Sequence, residues 1–272
     1  MLKFIAQLIF VLLTLSAGVI NIFVNISAIS TDLVPSALKY ITVDTSLLGQ
    51  SLSSQNAELD VSSLYTTNSD DPLGQGLGVR QDYYFGQYAY CGTLEGRRDG
   101  VCLLGRDSGS EFISRLDPYT YLINDTPENL KDGVRSLLEA PDTTFTASDY
   151  LRRYSAAAYW LIFLSAIFTG VALFTGVVPT RYTFFFGGVF CLLAFLTVAV
   201  GAAILTALIA KIRHINGGKL RHRSRALLKM ISEALGVYVH FGVSLWLVWI
   251  TAFVLMIATP FYFLACAAHR ID

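Results

Sequence analysis

Two cysteines lie close together in the only long polar segment of an otherwise apolar chain. Ten residues separate Cys91 from Cys102, and the stretch 'GTLEGRRDG' between them has glycines at both ends and charges at its middle, as exposed hairpins do. In the cytosol the pair would stay reduced, whereas in an oxidising space it would form a disulfide. Such a bridge would remove about 3 kcal/mol of loop entropy from the unfolded chain. The chemistry of the pair therefore depends on the side of a membrane on which it lies.

Other residues of the polar segment do not form a catalytic or metal-binding pattern. Structural zinc sites take four Cys or His ligands, and the segment holds two cysteines and no histidine. A Ser-His-Asp arrangement therefore cannot form around Ser108. The 'GQGLG' stretch at residues 74–78 lacks the flanking strand and helix of a nucleotide-binding loop, and Asp70 and Asp71 are typical of a solvated surface. We expect no enzyme, no metal and no cofactor.

Two further cysteines and one asparagine are candidates for structural or modified positions. Cys191 and Cys266 lie within or at the edge of apolar runs, so we expect buried packing residues, with lipidation of Cys266 as the lesser alternative. The tripeptide 'NDT' at 124–126 makes Asn124 a candidate N-glycosylation site.

The composition is that of an integral membrane protein. The 272 residues are 54% hydrophobic and 15% charged, with a mean hydropathy of +0.53. Apolar runs long enough to cross a bilayer, which takes about 20 helical residues, occur near 4–28, 156–178, 183–210 and 236–266. The first run is longer than the roughly 7 to 15 residues of a signal peptide, so we expect a retained span. The expected domains are a first span (1–29), an extracellular domain (30–155) and three further spans with short connecting loops (156–272).

The predicted spans contain almost no ionisable side chains, with His240 in the fourth run as the exception. Carriers and pumps need such groups at mid-membrane, so their scarcity disfavours a transport function. Small residues recur at helical spacing in two pairs, Ala166 with Gly170 and Thr197 with Gly201. We interpret them as ordinary bundle packing in preference to a dedicated dimer seam.

Within the polar segment, three stretches differ in predicted structure. Residues 45–79 are rich in Ser, Gln, Asn, Asp and Gly and are predicted to be irregular. The aromatic run 83–91 is predicted to be one extended strand of a small sheet. The stretch 'NDTPENLKDGVRSLLE' predicts an amphipathic helix docked on that sheet, with Thr126 as its N-cap and a buried face formed by Leu130, Val134, Leu137 and Leu138.

Charge is divided between two parts of the chain. Residues 30–155 carry 18 acidic and 10 basic residues, whereas the basic loop between spans three and four carries Lys211, Arg213, Lys219, Arg221, Arg223, Arg225 and Lys229. An external polar segment puts this basic loop outside too, against the positive-inside rule. We nevertheless predict that the polar segment is extracellular, because its excess of acidic residues can act as a counter-charge for the basic loop. Docking on the extracellular domain and a basic collar lying on lipid remain equal alternatives.

Several motifs together resemble the fungal Sur-seven/PalI family of claudin-like four-span plasma-membrane proteins. They are 'YAYCGTLEGRRDGVC', 'EFISRLDPYTYL' and 'EALGVYVHFGVSLWLVWITAFVLM', in that order between four spans. The resemblance implies that Cys91 and Cys102 are paired and that the family's last-span tryptophan is Trp246 or Trp249. The size and basicity of the loop between spans three and four depart from the family pattern. Only six residues, 267–272, follow the last predicted span, which disfavours signalling through a cytosolic tail.

The expected fold is therefore a membrane all-α four-helix bundle, claudin-like, with a small disulfide-bearing α+β extracellular domain. The resemblance implies a plasma-membrane protein with cytosolic termini that organises membrane domains of the eisosome type and supports cell-wall integrity or stress response. Membrane lipids, other membrane proteins or further copies, and cell-wall polymer are the expected partners, and nucleic acid is not. We expect Tyr83 to Tyr90 and the cysteine hairpin to face such a partner. The alternative function is a claudin-like channel accessory or calcium-influx regulator, as in the mating-type Fig proteins.

Overall fold

The computed structural model describes residues 2–57, 59–94, 99–104, 116–139, 149–178, 180–215 and 236–268. Two compact units are present. The helical unit comprises Met1–Ile26, Ala157–Thr206 and Ser244–Asp272, and the sheet unit comprises Ser27–Ala156 and Ala207–Val243. In chain order the elements are α1 (Leu2–Asn25), α2 (Leu33–Ala37), β1 (Ile41–Asp44), α3 (Leu48–Gln55), a 3₁₀ turn (Val61–Ser63), β2 (Asp82–Phe85), β3 (Ala89–Thr93), β4 (Gly100–Leu104), α4 (Pro118–Asp125), α5 (Glu128–Leu138), α6 (Asp149–Val177), α7 (Arg181–Ile215), β5 (Tyr238–Phe241) and α8 (Val243–Ala268).

Four of these helices are long and apolar enough to cross a membrane, as the sequence predicts. Their candidate spanning segments are Gln7–Asn25 in α1, Asp149–Val177 in α6, Arg181–Ile212 in α7 and Val243–Ala267 in α8. The prediction of four spans is confirmed. The predicted start of the fourth span at residue 236 is wrong, because α8 begins only at Val243.

One tyrosine joins all four helices of the helical unit. The side chain of Tyr262 in α8 is fully buried, and its ring centroid lies 4.1 Å from that of Phe10 in α1. Its hydroxyl donates to the backbone carbonyl of Ala172 in α6 at 2.9 Å. A Cβ on Gly176 or Gly187 would lie within 2.9 Å of the Tyr262 side chain, so these glycines make room for the ring.

The two small-residue pairs of the sequence have different surroundings. A Cβ on Gly201 in α7 would lie 3.0 Å from the Ile162 side chain and 3.1 Å from the Ala158 carbonyl, so Gly201 lies at the contact of α7 with α6. Around Gly170 in α6, an added Cβ meets nothing within 4 Å. Gly201 serves bundle packing, and the second pair leaves an open face.

The sheet unit is built on a five-stranded antiparallel sheet in the order β4-β3-β2-β1-β5. Strand β5 comes from residues that the sequence assigned to the fourth span, and it pairs with β1 so that His240 lies opposite Thr42. The apolar run from 236 is longer than a bilayer requires. Its first residues, bounded by Gly236 and Gly242, instead complete the sheet.

The aromatic run 83–91 forms a hairpin and not the single strand that the sequence predicted. Strand β2 ends at Phe85, and the Gly86 amide donates to the Ala89 carbonyl at 2.9 Å where β3 begins. A Cβ at residue 86 would lie 2.1 Å from the Ser27 carbonyl oxygen. Only glycine fits this turn. The constraint comes from Ser27, a residue distant in sequence, and so it is not visible in the local sequence.

Helices cover one face of the sheet. In α4, Asp117 caps the first turn by accepting from the Thr120 amide, and Pro118 stands at the first helical position. In α5 the predicted buried face is confirmed, because Leu130, Val134, Leu137 and Leu138 are all buried. This helix packs on α3 and α4.

Two predictions about this region are wrong in detail. The predicted N-cap of α5, Thr126, ends α4 instead and donates its hydroxyl to the Leu122 carbonyl at 2.8 Å. The region 45–79 is not irregular throughout, since it contains α3 and the 3₁₀ turn.

Candidate functional site

The disulfide lies at the centre of a hairpin in the sheet. Cys91 of β3 and Cys102 of β4 are directly opposite in register, and their Sγ atoms are bonded at 2.05 Å. The tip of this hairpin, residues 95–98, lies outside the described residues. The bond therefore ties β4, an edge strand, to its neighbour β3.

The same disulfide supports the turn that follows α1. The Sγ atom of Cys91 lies 3.3 Å from the carbonyl oxygen of Ala28. Ala28 has a φ of 47°, in the left-handed region that residues with a Cβ rarely adopt, and it is completely buried. The Ser27 hydroxyl accepts from the Gln87 amide at 3.3 Å. The turn is thus held from two sides by β3 and by the β2–β3 connection.

Three of the five aromatic residues in the run beside the disulfide are buried, whereas Tyr84 and Tyr88 are half-exposed, so the predicted contact surface holds for part of the run at most. Tyr83, Phe85 and Tyr90 are each no more than 2% exposed. The ring centroid of Tyr90 lies 4.0 Å from that of Tyr121 in α4, and Phe85 and Tyr90 stack at 5.9 Å. These side chains form the core between sheet and helix. A partner that contacts this run would therefore meet Tyr84 or Tyr88 and not these three rings.

A buried polar network joins the 66–80 loop to the sheet and to α4. The guanidinium of Arg80, only 1% exposed, donates to the backbone carbonyls of Asn68 and Asp71. The Tyr83 hydroxyl donates to the Asp125 carboxylate at 2.8 Å and accepts from the Arg80 amide at 3.0 Å. Asp125 also accepts from the amide of Gly74. A long loop is thereby fixed against the core through hydrogen bonds.

Burial sets the proton affinities in this network. Desolvation raises the pKa of Asp125, while hydrogen bonds from Gly74 and Tyr83 and the charge of Arg80 oppose that rise. Burial, and then the charge of Asp125, raises the pKa of Tyr83 well above its ordinary value. Perturbed groups of this kind are also found at active sites, but here each hydrogen bond satisfies a structural neighbour. We interpret the network as a structural brace.

The other face of the sheet carries polar and half-exposed residues. His240, Thr42 and Tyr84 form one row across β5, β1 and β2. The Lys39 ammonium lies 3.6 Å from the Tyr84 ring centroid, and burial lowers the pKa of Lys39. His240 is exposed in a strand, so the one ionisable residue assigned to a span lies outside the spanning segment.

The remaining predicted positions are placed only in part. Asn124 is exposed in the last turn of α4, while Thr126 of the same tripeptide is fully buried. Lys211 is exposed near the end of α7, and Arg213 lies in the same helix. The rest of the predicted basic loop, namely Lys219, Arg221, Arg223, Arg225 and Lys229, falls outside the described residues, as does Ser108. Whether that loop docks on the sheet unit or lies on lipid stays a prediction.

Neutral polar contacts between the spans were not predicted from the sequence, where only ionisable residues and small residues in the spans were considered. Asn21 in α1 is 2% exposed and donates to the Thr169 hydroxyl in α6 at 3.4 Å. The Trp249 indole donates to the Thr206 hydroxyl in α7 at 3.0 Å. Trp246, the other tryptophan that the family resemblance suggests, is 65% exposed. Asn and Thr at helical spacing in apolar runs could have indicated such contacts.

In the part of the chain that the structure describes, no group of three or more His, Cys, Asp or Glu side chains could hold a metal ion. What the geometry does define is a four-span membrane protein with a small disulfide-bearing sheet. The model of the SUR7/PalI family matches residues 6–261, and the protein belongs to that family. This confirms the resemblance noted in the sequence. Comparison with curated proteins and with solved structures finds no match.

Proposed function

We propose that the protein is a non-enzymatic organiser of plasma-membrane domains of the eisosome or cell-cortex type, supporting cell-wall integrity or stress response. In this proposal the sheet unit is extracellular, both termini are cytosolic, the layout is claudin-like and Asn124 carries a glycan. The observation that supports it most is the disulfide-braced sheet with its buried aromatic core, carried by four apolar spans. An oxidising space is where such a bond persists.

The chemistry of the described residues favours a scaffold over a catalyst. Arg80, Asp125 and Tyr83, three buried polar residues of the sheet unit, hydrogen-bond to one another or to nearby backbone. Groups engaged in this way stabilise a fold and leave no free acid, base or nucleophile among them. A rigid outer surface with membrane spans suits recognition of neighbouring proteins, further copies or wall polymer.

Lateral association would use the open face of α6. Gly201 packs against α6 inside the bundle, so it is not free to contact another protein. Gly170 has open space around it, and Ala166 lies one turn before it. Small residues of this kind let a helix of a second protein approach closely.

The proposal is tested by imaging the organisation of plasma-membrane domains in living cells. Removing the protein should disperse a fluorescent marker of the membrane domain and leave whole-cell currents unchanged. Gly170→Leu should disperse the marker at normal protein abundance, because the larger side chain blocks close approach. Phe174→Leu is the matched control, since Phe174 is 78% exposed on the same helix and contributes no small-residue contact.

A reduced calcium current with unchanged clustering would reject this function in favour of the channel-accessory alternative. Orientation is tested separately by protease access and glycan mapping on intact cells. Asn124→Gln removes the acceptor and should abolish a glycan-dependent mobility shift. Substitution of Thr126 would also remove the acceptor site, but it would disturb the fold as well, because the buried Thr126 hydroxyl donates to the Leu122 carbonyl.

A further inference from the structure

An aromatic and basic cluster lies where α6 begins and α7 ends, within the sheet unit. Tyr150 and Tyr154 are one helical turn apart with ring centroids 4.3 Å from each other, and they are 48% and 46% exposed. The ammonium of Lys211 lies 4.6 Å from the Tyr150 ring centroid, and Lys211 is itself exposed. Arg153 is exposed on the same turn as Tyr150 and Tyr154. We call these four residues the aromatic-basic patch.

The patch carries positive charge without a carboxylate partner. The nearest acidic residue in sequence, Asp149, has its Oδ1 atom 3.9 Å from the Arg152 guanidinium in the same turn and forms no ion pair with Arg153. Neither Arg153 nor Lys211 takes part in an ion pair among the residues described. Exposed cations in this state favour an anion from outside the chain.

We expect the patch to lie at the level of the lipid headgroups, because its residues occupy the polar ends of the candidate spans in α6 and α7. The apolar run of α6 begins at Ala156, and Lys211 follows directly after the run that ends at Ala210. At 1.5 Å per residue, Tyr154 and Arg153 lie about 3 Å and about 4.5 Å beyond the start of the apolar run, and Tyr150 lies at the outer edge at about 9 Å. The headgroup layer adds roughly 5 to 8 Å on each side of the hydrocarbon core. Tyrosines and cations at this depth are the usual anchors of spanning helices.

We propose that the aromatic-basic patch binds the phosphate of an anionic phospholipid in the leaflet on the sheet-unit side. Arg153 and Lys211 donate charge-assisted hydrogen bonds to the phosphate oxygens, and the Tyr150 ring holds Lys211 in place by a cation–π contact. Since Asp149 is engaged by Arg152, the described patch offers no free carboxylate for the ammonium of a zwitterionic headgroup. The inference is independent of the proposed function, because it requires only that the four helices span a membrane.

The experiment uses the full-length protein in phosphatidylcholine nanodiscs that contain a minor fraction of phosphatidylserine. Native mass spectrometry after gentle release measures how strongly phosphatidylserine is retained over phosphatidylcholine. The wild type should retain it preferentially, and each basic side chain removed should lower the preference about fivefold. The Arg153→Gln/Lys211→Gln variant should therefore lose most of it.

Three controls separate this site from general charge and from misfolding. Lys131→Gln/Arg135→Gln removes the same charge from α5, where both side chains already have acidic partners, and should leave the preference unchanged. Arg153→Lys/Lys211→Arg keeps the charge and should keep the binding. Millimolar inorganic phosphate should not displace the lipid. Equal retention by wild type and the Gln pair, an equal loss in the α5 pair, or displacement by free phosphate would each overturn the proposal.

Discussion

At the residue scale, a single hydroxyl connects the buried network of the sheet unit. Tyr83 donates to Asp125 and accepts from the backbone amide of Arg80, and it is 2% exposed. Its neighbour Tyr84 points to the other face and is half-buried. These two adjacent tyrosines have the same side chain but differ in burial and in hydrogen-bond partners. They therefore form a matched pair for mutation.

We expect Tyr83→Phe to lower the free energy of unfolding of the sheet unit by about 1 to 3 kcal/mol. The ring still fills its space, but a buried carboxylate oxygen of Asp125 and the Arg80 amide lose their partner. Urea titration of the full-length protein in detergent, read as loss of protease resistance, measures the change. Tyr84→Phe should cost less than about 1 kcal/mol, because its hydroxyl is part-exposed. Equal effects of the two substitutions would show that the network does not stabilise the domain.

At the element scale, periodicity and composition predicted the four spans and the buried face of α5. Both patterns depend on local spacing, which a single chain displays directly. Strand β5 was missed because it leads directly into the apolar span that follows, with Gly242 as the single residue between them. Only pairing with β1, distant in sequence, distinguishes 'YVHF' as a strand.

Gly242 is the single residue between β5 and α8, and we expect Gly242→Ala to disrupt that connection. A Cβ there would lie 1.9 Å from the Lys39 carbonyl oxygen, a backbone atom that cannot rotate away. Overpacking of this kind costs about 1 to 3 kcal/mol, occasionally more. Hydrogen exchange of the β1 and β5 amides should accelerate accordingly. Gly170→Ala is the control, because its Cβ meets nothing within 4 Å and the helix gains propensity. Unchanged exchange in Gly242→Ala would show that the chain relaxes there at no cost.

At the scale of the whole molecule, the disulfide combines a local and a long-range role. It closes a short hairpin, and its sulfur also contacts the Ala28 carbonyl in the turn after α1. Losing it would therefore loosen β4 and that turn together. An isolated hairpin bond would affect the strand pair alone.

Replacing Cys91 by Ser should destabilise the sheet unit by about 3 kcal/mol and lower the abundance of the protein at the cell surface. The wild type should migrate faster than the variant on non-reducing gels, because the closed loop is more compact. Cys91→Ser/Cys102→Ser avoids new bonds through the remaining thiol and should behave in the same way. Cys266→Ser, which removes a free cysteine, should change neither readout. Full abundance and unchanged mobility of the Cys91 variant would contradict a structural role for the bond.

The amino-acid sequence by itself determined the class of protein, the number of spans, the position of the cysteine hairpin and the family. Those features depend on the length of apolar runs, on local periodicity and on short motifs, all of which are properties of neighbouring residues. Only the tertiary structure decided that Tyr83, Phe85 and Tyr90 are core, that β5 completes the sheet and that Lys211 lies over Tyr150. The physical reason is that each depends on contacts between residues far apart in the chain, and apolar or aromatic composition does not specify which surface such residues will cover.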